Sequence, residues 1–267
     1  MPFNLPGVLV PLHLLVNPRL VIPSLIIKDI RQLDFPELRR AGYRGAVFDK
    51  DNCLTLPHRD ALVPELKDAW RECREIFGEN NVLIVSNSAG SRLDAGEIQA
   101  ESVTFHLSVP VLRHPSFKPS YSCIGSIRAY FASLPKPILD EELVIVGDRL
   151  LTDIVMANRM ARRRSPSHGR PLRDEKSEST IRNASDALAL EKIGPLAVWT
   201  SGVWERESMP IRWLEKSILK GVKNWVVRGQ GLPYEANAER FVRRVPEMDV
   251  VPQRMSLWKS LWNRWRK

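Results

Sequence analysis

The sequence predicts an α/β domain built on a mainly parallel sheet. Short apolar runs rich in β-branched residues alternate with stretches of helical periodicity, and several of those runs stop abruptly at Asp, Ser or Asn. A buried strand that ends on polar, reactive residues is the mark of a parallel sheet opening onto a ligand crevice.

The elements follow in chain order. The stretch 5–27, LPGVLVPLHLLVNPRLVIPSLII, is apolar, but Pro6, Pro11, Pro18 and Pro23 interrupt it and Arg19 lies inside it. A spanning helix would lose backbone hydrogen bonds at each internal proline, so this segment either packs on the domain or lies in a membrane interface. DFPELRRAGYRG (34–45) reads as a short helix closing on a glycine turn, and AVF (46–48) as a strand running into Asp49. VPELKDAWRECREIFG (63–78) has helical apolar spacing and a terminal glycine. NVLIVSNSAG (81–90) is a buried strand opening onto a small polar loop, and 102–114 contains a weaker strand near Val109–Leu112. SCIGSIRAYFAS (122–133) is helical, ELVIVGDRLLTDIVMANRM (142–160) is strand, acidic turn and helix, and PLAVWTSG (195–202) is a further strand. Between the last two, a polar, charged stretch at about 161–194 predicts a mobile insertion. The domain plan is therefore an apolar segment over 1–33, a core over 34–225, and a basic tail over 226–267.

Among 267 residues, 40 Lys and Arg face 31 Asp and Glu, a formal charge of +9 that favours an acidic partner or phosphorylated substrate. Three scattered cysteines, Cys53, Cys73 and Cys123, with no CxxC pair, argue against a disulfide framework or structural zinc and for a reducing compartment.

Folding gives no reason to place Asp49 and Asp51 together at a buried strand end, since like charges there oppose it. Two other strands end comparably, one at Ser86 and Asn87 and one at Asp148, with Asp153 five residues on. If the strands are neighbours, these groups share a crevice. A divalent cation removes the repulsion, and hard carboxylate oxygens select Mg²⁺ over softer metals. Such a site suits phosphoryl transfer, with a carboxylate attacking phosphorus and Ser86 and Lys118, in SFKPS (116–120), as donors to its oxygens.

In these residues the chain resembles the haloacid dehalogenase (HAD) superfamily of aspartate-nucleophile phosphatases. Four motifs stand in order: FDKDNCLT, IVSNS, FKP and VGDRLLTD. More narrowly, FDKDNCLT, the Pro-punctuated segment before it and the GDRLLTD–helix–AN stretch look like the mitochondrial phosphatidylglycerophosphatases of fungi and plants. The resemblance implies a HAD-type Rossmann-like three-layer sandwich. It implies Asp49 as the nucleophile that becomes an aspartyl-phosphate, and Asp51 as the general acid and then base. Ser86 and Lys118 hold the phosphoryl oxygens, with Asn87 a neighbouring donor. Mg²⁺ binds the Asp49 carboxylate, the Asp51 backbone carbonyl and the Asp148 carboxylate, while Asp153 lies in the outer shell of the metal or steadies Lys118. Lys50 and Arg149 are candidates for the substrate only because each adjoins an acid. Cys53 stands where many HAD enzymes carry threonine, and reads as a small buried filler. His58, His106 and His114 read as structural.

Only about 30 residues separate Asp51 from Ser86, and as many separate Ser86 from Lys118, so the core elements fill both intervals and little or no cap domain fits. An open site suits a headgroup at a membrane surface. In RMSLWKSLWNRWRK (254–267), Trp258, Trp262 and Trp265 share a helical face among five basic residues and no acid, a pattern that favours anionic lipid. The resemblance then implies dephosphorylation of phosphatidylglycerophosphate to phosphatidylglycerol, toward cardiolipin, on the matrix face of the mitochondrial inner membrane. Two other readings stand beside it: the same chemistry on a soluble phosphomonoester or phosphoprotein, and an idle scaffold that binds acidic lipid or RNA. No nucleic-acid recognition module accompanies the motifs.

Overall fold

The computed structural model describes residues 14, 16–161, 194–205, 209–227 and 238–243. The expected insertion, apart from its end residues 161 and 194, and the tryptophan stripe at 254–267 lie outside the described residues.

Five parallel strands form one sheet: β1 (Leu25–Ile27), β2 (Gly45–Phe48), β3 (Val82–Ile84), β4 (Leu143–Gly147) and β5 (Leu196–Thr200), in the spatial order β1-β5-β4-β2-β3. Strands β2 to β5 are buried at every position, which explains their unbroken apolar sequence. Strand β1 is an edge strand with the pattern buried–exposed–buried. It arises from the end of the Pro-punctuated apolar segment.

Among the described residues, six α-helices cover the sheet: α1 (Phe35–Arg40), α2 (Lys67–Phe77), α3 (Ile98–Leu107), α4 (Tyr121–Ala132), α5 (Val155–Met160) and α6 (Met209–Val227). Alternation along each strand divides the core in two. Ala46, Phe48, Val82, Ile84, Val144 and Val146 pack with Phe35 and Leu38 of α1, Trp70, Cys73 and Phe77 of α2, and Val103 and Leu107 of α3. Val47, Leu83, Ile145 and Ala197 face the opposite way, onto Ile124, Ile127 and Phe131 of α4, Met156 and Met160 of α5, and Leu219 of α6. The result is the expected three-layer sandwich.

Each fully buried Val, Leu, Ile, Phe or Met side chain among them stabilises by about 1.5–3 kcal/mol. Trp70 also satisfies its indole, donating to the Leu107 carbonyl at 2.9 Å, and meets Phe48 edge-on at 5.2 Å. Helix ends are capped by side chains: Asp34 accepts from the Glu37 N–H and Ser120 from the Cys123 N–H.

The first part of 102–114, for which the sequence named no element, is the end of α3. One expectation needs correction. The strand near Val109–Leu112 is a single parallel bridge between Val111 and Ile84, closed by the Ile84 N–H on the Pro110 carbonyl and the Leu112 N–H on the Ile84 carbonyl. Pro110 has no N–H with which to lengthen the ladder. The intervals expected to leave no room for a cap are filled by α2 and β3, and by α3 and this bridge.

Leu14 and residues 16–22 pack beside α5 and α6. Leu14 and Val21 cluster with Val155, flanked by Leu20, Leu151, Ile218 and Val222, and the Asn158 amide donates to the carbonyls of Leu20 (2.8 Å) and Ile22 (2.9 Å). No helix among the described residues is long and apolar enough to cross a membrane.

Candidate active site

Strands β2 and β4 are hydrogen-bonded neighbours, and the Asp49 N–H continues their ladder by donating to the Val146 carbonyl at 2.9 Å. That pairing brings Asp49 and Asp148 out of the same sheet edge. Past β4 the chain enters a π-helical turn, Leu150–Ile154, which turns Asp153 back onto them. Gly147 makes the approach possible, because a Cβ there would lie 2.3 Å from the Asp153 Cγ. Asp49, Asp148 and Asp153 each offer a carboxylate oxygen within 4.8 Å of the others.

Lys118 is 2% exposed and bridges two of these acids, donating to Asp49 Oδ1 and Asp153 Oδ1 at 2.7 Å each. Burial opposes its charge, yet Asp153 and Asp49 outweigh it and hold the ammonium's pKa above the ordinary lysine value. Burial raises the Asp49 carboxyl above the usual carboxylate range despite Lys118. The Asp148 carboxyl stands well above that range, from burial first and then from Asp49 and Asp153, with Arg212 and Arg149 offsetting part. Three crowded acids with hard oxygens therefore fit a divalent cation, which would relieve this repulsion.

The partners of Asp148 come from several elements. Its backbone carbonyl accepts from the Trp199 indole at 3.0 Å, its carboxylate accepts from the Arg212 guanidinium, and Arg149 Nε lies 3.6 Å from it. Asp153 is braced by the Arg149 N–H at 3.1 Å. Arg212 and its neighbour Glu215 are buried on α6, where Glu215 accepts from the Leu151 N–H at 3.2 Å. Neither was legible as a site residue, since no motif marks α6. The available signal is an Arg-x-x-Glu pair sharing a helical face with Leu219.

Asp51 is half-buried, accepting from the Ser88 hydroxyl and the His58 N–H at 3.1 Å each. Ser86 is buried, its hydroxyl 2.9 Å from Ser88 Oγ, so Ser88 links the second motif to the first. Ser88 carries no sequence signal of its own beyond closing IVSNS, three residues past the apolar run. Asn87 faces the Lys118 backbone, accepting from its N–H at 2.7 Å. His114 is buried with its ring nitrogens 2.7 Å from the Ser116 carbonyl oxygen and 2.9 Å from that of Ser86, tying the third motif to the second.

Lys50 is placed differently from its neighbours. It is fully buried, its ammonium 2.7 Å from Asp51 Oδ1, 2.9 Å from the Arg59 carbonyl and 3.7 Å from Asp60 Oδ1. It anchors the loop after β2 from within. Cys53 is also buried, and burial followed by Asp49, Asp148 and Asp153 pushes its thiol well above the usual range. It is an inert filler.

A family model described as mitochondrial PGP phosphatase matches residues 5–163. The chain belongs to the mitochondrial PGP phosphatase family. Membership makes it a phosphoric monoester hydrolase. It is 39% identical over 157 residues to the mitochondrial phosphatidylglycerophosphatase of Saccharomyces cerevisiae, covering 59% of this chain and 83% of that one. It is 42% identical over 144 residues to the chloroplastic phosphatidylglycerophosphate phosphatase 1 of Chlamydomonas reinhardtii, covering 54% of this chain and 51% of the relative. To the chloroplastic/mitochondrial enzyme of Arabidopsis thaliana it is 35% identical over 158 residues, 58% of this chain and 43% of the relative. No solved structure matches. The family match spans the acids, Ser86 and Lys118, whereas β5 and α6, with Arg212, lie beyond it.

Proposed function

We propose that the chain is a Mg²⁺-dependent phosphatidylglycerophosphatase that hydrolyses the terminal phosphomonoester of phosphatidylglycerophosphate through an aspartyl-phosphate on Asp49. The observation that carries this is the placement of Asp49: its side chain is 12% exposed, bonded to buried Lys118 and clustered with Asp148 and Asp153. Relatives that bear the name phosphatidylglycerophosphatase supply the substrate.

In this reading an Asp49 oxygen attacks phosphorus while the bond from phosphorus to the glycerol oxygen breaks. Asp51, held by Ser88 and His58, gives its proton to the departing alkoxide. Asp51 then takes a proton from water as that water attacks phosphorus, freeing inorganic phosphate and regenerating Asp49. Lys118 and Ser86 hold phosphoryl oxygens, and Asn87 contributes by fixing the Lys118 backbone. Asp49, Asp148 and the Asp51 carbonyl would hold Mg²⁺, with Asp153 keeping Lys118 in place. When bound, the metal neutralises charge on the phosphate oxygens. Phosphatidylglycerol is the product, and the matrix face of the mitochondrial inner membrane is the proposed location.

The test is phosphate release with Mg²⁺ from phosphatidylglycerophosphate in mixed micelles, beside a panel of soluble phosphomonoesters. Preferential release from the lipid supports the reading. Equal turnover of soluble esters overturns the lipid assignment, and no release from any overturns the enzyme itself. Asp49→Asn is expected to abolish labelling of the protein by ³²P-substrate, and a persisting phosphoenzyme overturns the nucleophile.

A further inference from the structure

Helix α6 has two unlike faces. Arg212, Glu215 and Leu219 point into the domain and are buried, while Ile218 and Val222 pack against the Leu14–Val21–Val155 cluster. On the other side Trp213 is 71% exposed, Trp225 64% and Leu214 48%. Lys216 and Lys220 are exposed on the Trp213 side, one and two turns on from it, while Trp225 falls in line with Leu214 about three turns on. The only acid of the helix, Glu215, is turned inward onto the Leu151 N–H. The outer face is thus bulky, apolar and basic, with no carboxylate. Two solvent-facing tryptophans on one helix do nothing for folding, since their burial energy is forgone.

We propose that this face of α6 docks the enzyme on an anionic phospholipid bilayer. Trp213, Leu214 and Trp225 enter the headgroup region, and Lys216 and Lys220 meet lipid phosphates. Tryptophan prefers that interface, and basic residues are drawn to it. A second copy of the chain is the poorer occupant, because a two-fold pairing of this face would set lysines against lysines. The docking plane is also close to the chemistry. The inward side of the same helix donates from Arg212 to Asp148, so about one helix diameter separates bilayer surface from acid cluster. A headgroup phosphate would reach the site with its acyl chains still in the membrane. This use of docking rests on the lipid-phosphatase reading, although docking itself does not.

The experiment is co-sedimentation of the full chain with phosphatidylcholine vesicles, with and without phosphatidylglycerol. The variants are Trp213→Ser/Trp225→Ser and Lys216→Glu/Lys220→Glu. Each is expected to weaken binding to the anionic vesicles by at least about tenfold. Turnover of a soluble phosphomonoester should stay at the wild-type rate, and quenching of tryptophan emission by bromine-labelled acyl chains should fall in the first variant. Unchanged vesicle binding in both variants overturns the proposal. So does a change in sedimentation velocity showing that the variants dissociate an oligomer while vesicle binding is unaltered. If the variants lose vesicle binding and the wild type fails to hydrolyse phosphatidylglycerophosphate, docking stands and the substrate assignment falls.

Discussion

Lys50 and Lys118 are both buried lysines among carboxylates, but they serve different ends. Lys118 bridges acids that meet from β2 and the turn after β4, whereas Lys50 holds together a single loop. Adjacent residues leaving a strand point opposite ways, so the side chain after Asp49 turns away from the crevice that Asp49 faces. Sequence adjacency made Lys50 a candidate for substrate, and its full burial against Asp51 and the Arg59 carbonyl points instead to a place within the loop. Lys50→Met should lower stability by about 3 kcal/mol in urea, because Asp51 and Asp60 lose their counter-charge. It should depress kcat for a soluble ester more than it raises KM. A raised KM at unchanged stability would show instead that Lys50 meets substrate. Gly147→Ala makes a complementary test, because its methyl would collide with Asp153. Activity should fall by about 100-fold, as expected for misplaced groups, while the circular dichroism spectrum stays native.

At the scale of elements, the strand ends were legible because apolar runs stop at reactive residues, which burial alone would not select. Three of the five strands, β2, β3 and β4, could be read this way, and β5 from its apolar run alone. Strand β1 could not, since Leu25–Ile27 merges into a longer apolar segment, and α6 could not, because helical periodicity there is shared by a buried polar face and an exposed apolar one. The turn leading into α3 shows a different logic. Asp94 accepts from three backbone N–H groups, those of Gly90 (2.9 Å), Gln99 (2.9 Å) and Ala100 (2.8 Å). Burial raises its pKa, but these three donors outweigh it and the carboxyl lies below its ordinary value. Its stabilisation is therefore fully present above the unfolded pKa of about 3.9 and is lost as pH falls through the lower folded value. Asp94→Asn should cost about 2 kcal/mol near neutrality. The gap between variant and wild type should close as unfolding is measured at progressively more acid pH.

The whole molecule brings groups from β2, β3, the segment before α4, β4 and α6 to one edge of the sheet, and four of these five contributions were visible in the sequence. Arg212 was not, because its Arg-x-x-Glu pattern does not name the distant acid that it meets. The assembled acid cluster makes a prediction for the protein as a unit. Mg²⁺ at about 100 times its dissociation constant should stabilise the fold by about 2.7 kcal/mol, read as a rise in melting temperature. Chelation should reverse the rise, and Asp148→Asn should largely remove it.

The sheet closes between chain positions far apart. Ser24 and Ala197 exchange hydrogen bonds across 173 residues, and among the described residues β1 pairs only with β5. During synthesis β1 emerges first and its partner last, so an apolar strand waits unpaired while the rest of the sandwich assembles. Folding speed should then be limited by this late, non-local docking. Until β5 arrives, Leu25–Ile27 is a sticky end that a chaperone, or a neighbouring nascent chain, can capture.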